Sequence, residues 1–213
     1  MDRQLAENRF HRLDPAAPRR TGRRCRAAFA ASMLLAFVPL AQARNWDVDE
    51  LMRTLAQHAG GRAAFVERKY LAVLDRPIES SGELVFTPPR HMEKRTLKPK
   101  PEVLVIDADN LSVEREGRSY SALLSQYPEV AALIDSVRAT LAGDLGALRS
   151  QYRVELDGSA AHWTLTLLPS DTRVAALVLR IRIAGSGDAV RSVEILQADG
   201  DRSLMNIDRI EAQ

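Results

Sequence analysis

Few side chains in this chain stand at spacings that chemistry can use, and each candidate also has a plainer reading. His58, His91 and His162 are isolated: none has a second histidine, or a carboxylate at the third or fourth residue on, beside it. A structural or catalytic metal takes three or four such ligands, so neither a metal nor another cofactor is expected. Asp107-Ala108-Asp109-Asn110 and Asp199-Gly200-Asp201 offer oxygen ligands of the kind calcium uses. The first carries Leu111 where a calcium loop needs a ligand, and the second is too short, so both read as β-turns. Ser80-Ser81-Gly82 lacks the Gly-x-Ser-x-Gly frame that exposes a nucleophilic serine. No acid–base pair stands out, and no enzymatic activity is expected. The basic cluster Arg90, Lys94, Arg95, Lys98 and Lys100 would alternate along a strand to make a positive docking face, or a solvated strand edge blunted by lysine and proline.

The elements around these residues are mostly strands. Asp47 can cap a helix, and Val48, Leu51, Met52 and Leu55 follow at helical spacing up to Gly60-Gly61. Five strands follow. Ala64, Val66 and Tyr70 alternate with Arg68 and Lys69; then come Ser81 to Phe86, Met92 to Leu97, Val103 to Ile106 and Leu111 to Glu116. A helical interlude reads as a short helix over Tyr120 to Gln126. A longer one has Pro128 in its first turn, with Val130, Leu133, Ile134, Val137 and Leu141 on one face and Gly143 at its end. Five more strands close the chain: from Tyr152, from Trp163, through Leu177, Leu179, Ile181 and Ile183 at period two, around Val193 and Ile195, and from Ser203. Short Gly/Asp turns join successive strands, which makes an antiparallel meander; the crossovers of a parallel fold are missing. The expected class is α+β: a curled antiparallel sheet of about 10–11 strands, an unclosed β-barrel, with helices over its concave apolar face.

The start of the chain is of a different kind. Gly22 to Arg26 is basic, Ala27 to Leu40 is apolar and Ala41-Gln42-Ala43 is small-x-small, which are the three parts of a secretory signal peptide. The apolar run falls short of the roughly 20 residues that span a bilayer. Cleavage after Ala43 would leave residues 44–213 as a single extracytoplasmic domain. Removing residues 1–43, with eight Arg and three acids, turns the net charge of +2 into −3, so a nucleic-acid partner is not expected. Cys25 would leave with the leader, along with His11, so the remaining chain would hold no cysteine.

Several motifs fall in a familiar order. Ser80-Ser81-Gly82-Glu83-Leu84-Val85-Phe86-Thr87-Pro88-Pro89 comes first, then Pro101-Glu102, Leu104-Val105 and Asp107, then the helical interlude, and finally Asp199-Gly200-Asp201-Arg202-Ser203. Over most of residues 46–210 this resembles the LolA family of periplasmic lipoprotein carriers. The resemblance implies helices forming a lid over an apolar cavity in an unclosed barrel. It also implies a monomeric carrier that touches membranes only transiently, taking acylated lipoprotein or lipid cargo from an inner-membrane donor to an outer-membrane acceptor. Alternation and the resemblance together nominate Leu84, Phe86, Met92, Leu104, Ile106, Trp163, Leu165, Leu167, Leu179 and Ile181 as lipid-binding residues, with Leu133, Ile134 and Val137 on the lid. The family has Arg-Pro where this chain has Pro88-Pro89, and that arginine helps to hold the lid; Arg90 or Arg95 is the substitute expected for docking and gating. This departure resembles a divergent branch of the family whose cargo is another lipid or acylated product. The rival expectation is a docking or assembly protein with a filled core that uses its basic strand as the binding surface.

Overall fold

The computed structural model describes residues 46–57 and 60–209. The leader, its cleavage after Ala43, Cys25, His11 and His58 lie outside the described residues. The described residues fall in one compact unit.

The first helix, α1 (Val48–Ala56), starts where Asp47 Oδ1 accepts the Glu50 backbone N–H at 2.9 Å. It buries Leu51, Met52 and Leu55, three positions of one helical stripe. Six strands follow: β1 (Gly61–Tyr70), β2 (Ile78–Thr87), β3 (His91–Lys98), β4 (Glu102–Asp107), β5 (Asn110–Arg115) and β6 (Arg118–Leu123). The sixth corrects the expected short helix. Residues 118–123 pair with β5 in continuous register, and only Leu124–Gln126 turns helical, as a single 3-10 turn. Satisfied ladder hydrogen bonds outweigh the weak helical preference of so short a run.

Two helices cross next: α2 (Pro128–Ala142) and α3 (Leu145–Gln151). Pro128 occupies the first turn of α2, where its missing N–H costs nothing, and Gly143 ends the helix at φ 69°. A side chain at Gly143 would also come within 2.2 Å of the Met52 carbonyl, so glycine lets α1 and α2 approach closely. The chain then adds β7 (Tyr152–Ser159), β8 (His162–Pro169), the short helix α4 (Thr172–Ala175), β9 (Val178–Ser186), β10 (Ala189–Gln197) and β11 (Arg202–Arg209).

The eleven strands of the described residues form one antiparallel sheet in the order β6-β5-β4-β3-β2-β1-β11-β10-β9-β8-β7. The first and last strands, β1 and β11, pair at its middle. The sheet is curled and does not close: β6 and β7 are its two edges. The chain leaves at one edge and re-enters at the other, so the interlude must bridge the open side. The 15 residues of α2 span about 22 Å, enough for most of that passage.

The concave face is not evenly filled. Across β7–β10, Trp163, Leu165, Leu167, Ile181 and Ile183 are at most 1 % exposed and pack against Leu51, Met52 and Leu55 of α1 and Leu148 of α3. Two phases differ from the expected alternation. In β1 it is Phe65 and Glu67 that turn inward, while Val66 is exposed. In β9 the pairing with β10 slips between Leu196 and Gln197, so Leu179 has no partner and the strand's phase changes there.

Candidate functional site: an apolar cavity under helix α2

The half of the concave face that α1 and α3 do not fill holds a cavity of about 290 Å³. Its floor is built by side chains of β1–β4. The register places Ala63, Leu84, Lys94 and Leu104 in one row across these strands, and Phe86, Met92 and Ile106 in the next. Val193 of β10 with Met205 and Ile207 of β11 makes the side wall. Leu55 of α1 and Val137 and Leu141 of α2 form the roof. The lining is mostly apolar, and the volume lies at the lower end of the roughly 300–1,000 Å³ of small-molecule sites.

Helix α2 has two working faces. Ala132, Ser136, Ala139 and Thr140 are buried, and their small size lets α2 lie close to α1 and α3. The two hydroxyls among them are satisfied inside the helix: Ser136 Oγ donates to the Leu133 carbonyl and Thr140 Oγ1 to the Ser136 carbonyl, both at 2.7 Å. The larger residues Leu133, Ile134, Val137 and Leu141 are only half-buried. Val137 and Leu141 face the cavity, Leu133 packs on the core cluster, and Ile134 does not line the cavity.

Two side chains tie α2 to the sheet. Tyr152, at the start of β7, donates its hydroxyl to the Ala132 carbonyl at 3.0 Å. Burial pushes that phenol's pKa up. On the opposite side, Arg138 Nη2 donates to the Ala108 carbonyl, in the turn between β4 and β5, at 3.2 Å. Arg138 Nη1 pairs with Asp135 at 3.2 Å, and its Nε is buried without a partner.

Of the residues nominated for lipid binding, the structure brings Leu84, Phe86, Met92, Leu104 and Ile106 together around the cavity, with Val137 above them. Trp163, Leu165, Leu167 and Ile181 lie instead in the filled half of the concave face. Leu179 is 49 % exposed, which corrects its assignment to the cavity; the slip in β9 turns it outward. Arg90 is exposed and makes no hydrogen bond or ion pair with a described residue. Arg95 is exposed and pairs with Glu93 of its own strand at 2.5 Å. Neither reaches α2; the arginine that ties this helix to the sheet is Arg138 of α2 itself, through the Ala108 carbonyl, and the sequence pattern does not single it out. The basic cluster does not form one face. Lys94 turns into the cavity, Lys100 pairs with Glu116 at 3.2 Å, and β3 lies between β2 and β4, not at an edge.

One polar knot interrupts the apolar floor. Glu67 is 5 % exposed. Its carboxylate accepts from Lys94 Nζ at 2.5 Å, Ser203 Oγ at 2.7 Å and Ser80 Oγ at 3.4 Å, and Lys69 Nζ lies 3.8 Å away. Burial alone would push this carboxyl up. The hydrogen bond and charge of Lys94, with Ser203 and Lys69, outweigh it and hold Glu67 below its ordinary range. Lys94 also lies 5.0 Å from the centre of the Phe65 ring. At the inward position of β2 opposite Phe65 stands Gly82, which has no side chain to block that path. A Cβ there would meet the Arg95 carbonyl oxygen at 1.8 Å.

Residues 40–207 match the family model described as "Outer membrane lipoprotein carrier protein LolA-like". Among solved structures, a LolA superfamily protein from Nitrosomonas europaea aligns at 9 % identity over 78 % of this chain and 94 % of its own, with a TM-score of 0.40. The lipoprotein LppX of Mycobacterium tuberculosis aligns at 8 % identity over 78 % and 97 %, with a TM-score of 0.42. A putative outer membrane lipoprotein-sorting protein domain from Vibrio parahaemolyticus aligns at 8 % identity over 75 % and 88 %, with a TM-score of 0.41. No match is found among curated proteins.

Proposed function

Because the chain belongs to the LolA-like family of outer membrane lipoprotein carrier proteins, we propose that it is a soluble periplasmic carrier. It holds the acyl chains of a lipoprotein or another lipid in the cavity under α2 and shuttles them from an inner-membrane donor to an outer-membrane acceptor. The observation that supports this reading is the half-filled concave face. One half is a packed core, whereas the other is an apolar cavity of about 290 Å³ under a helix whose larger side chains are only half-buried. An assembly protein with a filled core has no use for that space, and its positive docking strand is absent, since Lys94 and Arg95 point to opposite faces of β3.

The carrier works by exchange of contacts and performs no reaction. Each acyl CH₂ taken out of water gains about 0.8 kcal/mol. Val137 and Leu141 of the lid give up contacts with the cavity as a chain enters, which offsets part of that gain. The lid contacts offset only part of the gain, so release depends on an acceptor that itself keeps the chain out of water. Arg138 and Tyr152 set the cost of displacing α2. The signal-like segment 22–43 supports delivery to the periplasm.

The test is binding of a fatty-acylated peptide to wild type and to Leu104→Glu and Leu179→Glu. A carboxylate at position 104 puts a charge into the cavity, whereas one at 179 stands in water, so only Leu104→Glu should weaken binding, by at least tenfold. Equal loss in both variants, or in neither, would count against the cavity as the binding site.

A further inference from the structure

The polar knot at Glu67 has a charge balance that an apolar cavity does not need. One carboxylate, 5 % exposed, is shared by two ammonium groups, Lys94 and Lys69. Neither lysine pairs with another acid among the described residues. The hydroxyls of Ser80 and Ser203 are neutral. The buried ions balance one to one, Glu67 against Lys94, and the additional positive charge, Lys69, is half exposed to water. An ion pair in an apolar wall is often no more stabilising than packed hydrophobic side chains, so its presence on the cavity floor points to a role beyond packing.

Lys94 is common to the knot and the cavity. It stands in the floor row between Leu84 and Leu104, lines the cavity, passes the face of Phe65 and ends on Glu67. A ligand whose tail lies along Leu84, Leu104 and Met92 meets this ammonium with its polar end. The Lys94 ammonium has donors to spare, since it carries three and Glu67 uses one. Lys69 is half exposed and brings a second cation to the same carboxylate from the solvent side.

From this geometry we propose that the cavity selects long-chain amphiphiles with an anionic head, a carboxylate or a phosphate, and that Lys94 is the residue that recognises it. The inference rests on the carrier reading and names the class of cargo. The head accepts a charge-assisted hydrogen bond from Lys94 while Glu67 keeps its bonds to Ser203 and Ser80, and Lys69 balances the added negative charge.

The experiment is calorimetric titration of the purified protein with lauric acid, lauryl phosphate and lauryl alcohol, which share one tail. Wild type should bind the acid or the phosphate at least about tenfold more tightly than the alcohol, as expected for a hydrogen bond to a charged group. The ratio of acid to phosphate affinity identifies which head fits. In Lys94→Met the preference over the alcohol should collapse towards one. In Glu67→Gln, which frees Lys94 and removes the competing carboxylate, it should rise. Equal binding of acid, phosphate and alcohol by wild type would overturn the headgroup assignment and leave the carrier reading standing. Survival of the full preference in Lys94→Met would do the same. Failure of all three to bind would overturn both. The wild-type comparison decides the matter even if a variant does not fold.

Discussion

Arg138→Met cuts the tie between α2 and the turn joining β4 to β5, and keeps an aliphatic stem of similar reach against the helix surface. The bond lost is that of Arg138 Nη2 to the Ala108 carbonyl at 3.2 Å, made by a side chain only 14 % exposed. A hydrogen bond from a charged donor contributes about 1.5–3 kcal/mol. Against this stands the Nε atom, buried without a partner while the lid is closed and free to meet water when it opens. An unsatisfied buried donor costs about 1–3 kcal/mol, and taking the low end for one atom of a delocalised group leaves about 1 kcal/mol in favour of the closed lid. Removing the side chain should therefore raise the open population about fivefold. Stopped-flow uptake of a fluorescent fatty acid, with opening rate-limiting, should be about fivefold faster in Arg138→Met, and amide protons of α2 should exchange faster by a similar factor. Uptake that is unchanged or slower, with α2 protection intact, would refute the assignment of Arg138 as the tie that holds this helix down.

Other outcomes follow from the same structure. Leu165→Ala empties a fully buried site in the filled half of the sheet, costing about 2–5 kcal/mol and lowering Tm by about 5–15 °C without changing the cavity. A drop below 1 kcal/mol would mean that this half is not a packed core. Glu67→Gln tests the knot through pH. Because the folded carboxyl lies below its ordinary value of 4.5, its contribution is fully present above that pH and fades as pH falls through the lowered value. The variant should be less stable than wild type at pH 7, by about 1.5 kcal/mol, and the gap should shrink on acidification to about pH 3. A gap in urea unfolding that is equal at both pH values would contradict the pairing. Gly82→Ala should be severely destabilising, since its new methyl would meet the Arg95 backbone and not a movable side chain; a variant with wild-type Tm would contradict the close packing of β2 on β3.

Most of the architecture was legible in the sequence. The strands announce themselves by alternation and their short turns, and the proline and glycine that bracket α2 stand where the helix begins and ends. What alternation does not carry is which inward residues are covered. Leu84 and Leu165 look alike in sequence. One lines a cavity and the other is sealed because α1 and α3 pack over β7–β10, whereas over β1–β4 only Leu55 of α1 and one face of α2 form a roof. The phase errors have local causes. In β1 the inward position of Glu67 reads as a solvent-facing charge until Lys94, 27 residues on, supplies its partner. In β9 one slipped residue turns Leu179 outward although Leu177, Leu179, Ile181 and Ile183 keep perfect period two. Arg138 was hidden because its partner is a backbone carbonyl, Ala108, that no sequence pattern marks.

The most direct measurement is native mass spectrometry of the protein purified from a periplasm without detergent, followed by lipid extraction. The account predicts a bound acylated species in wild type and in Leu179→Glu, lost in Leu104→Glu. A bare protein mass that stays bare after incubation with fatty acid and with acylated peptide would contradict it.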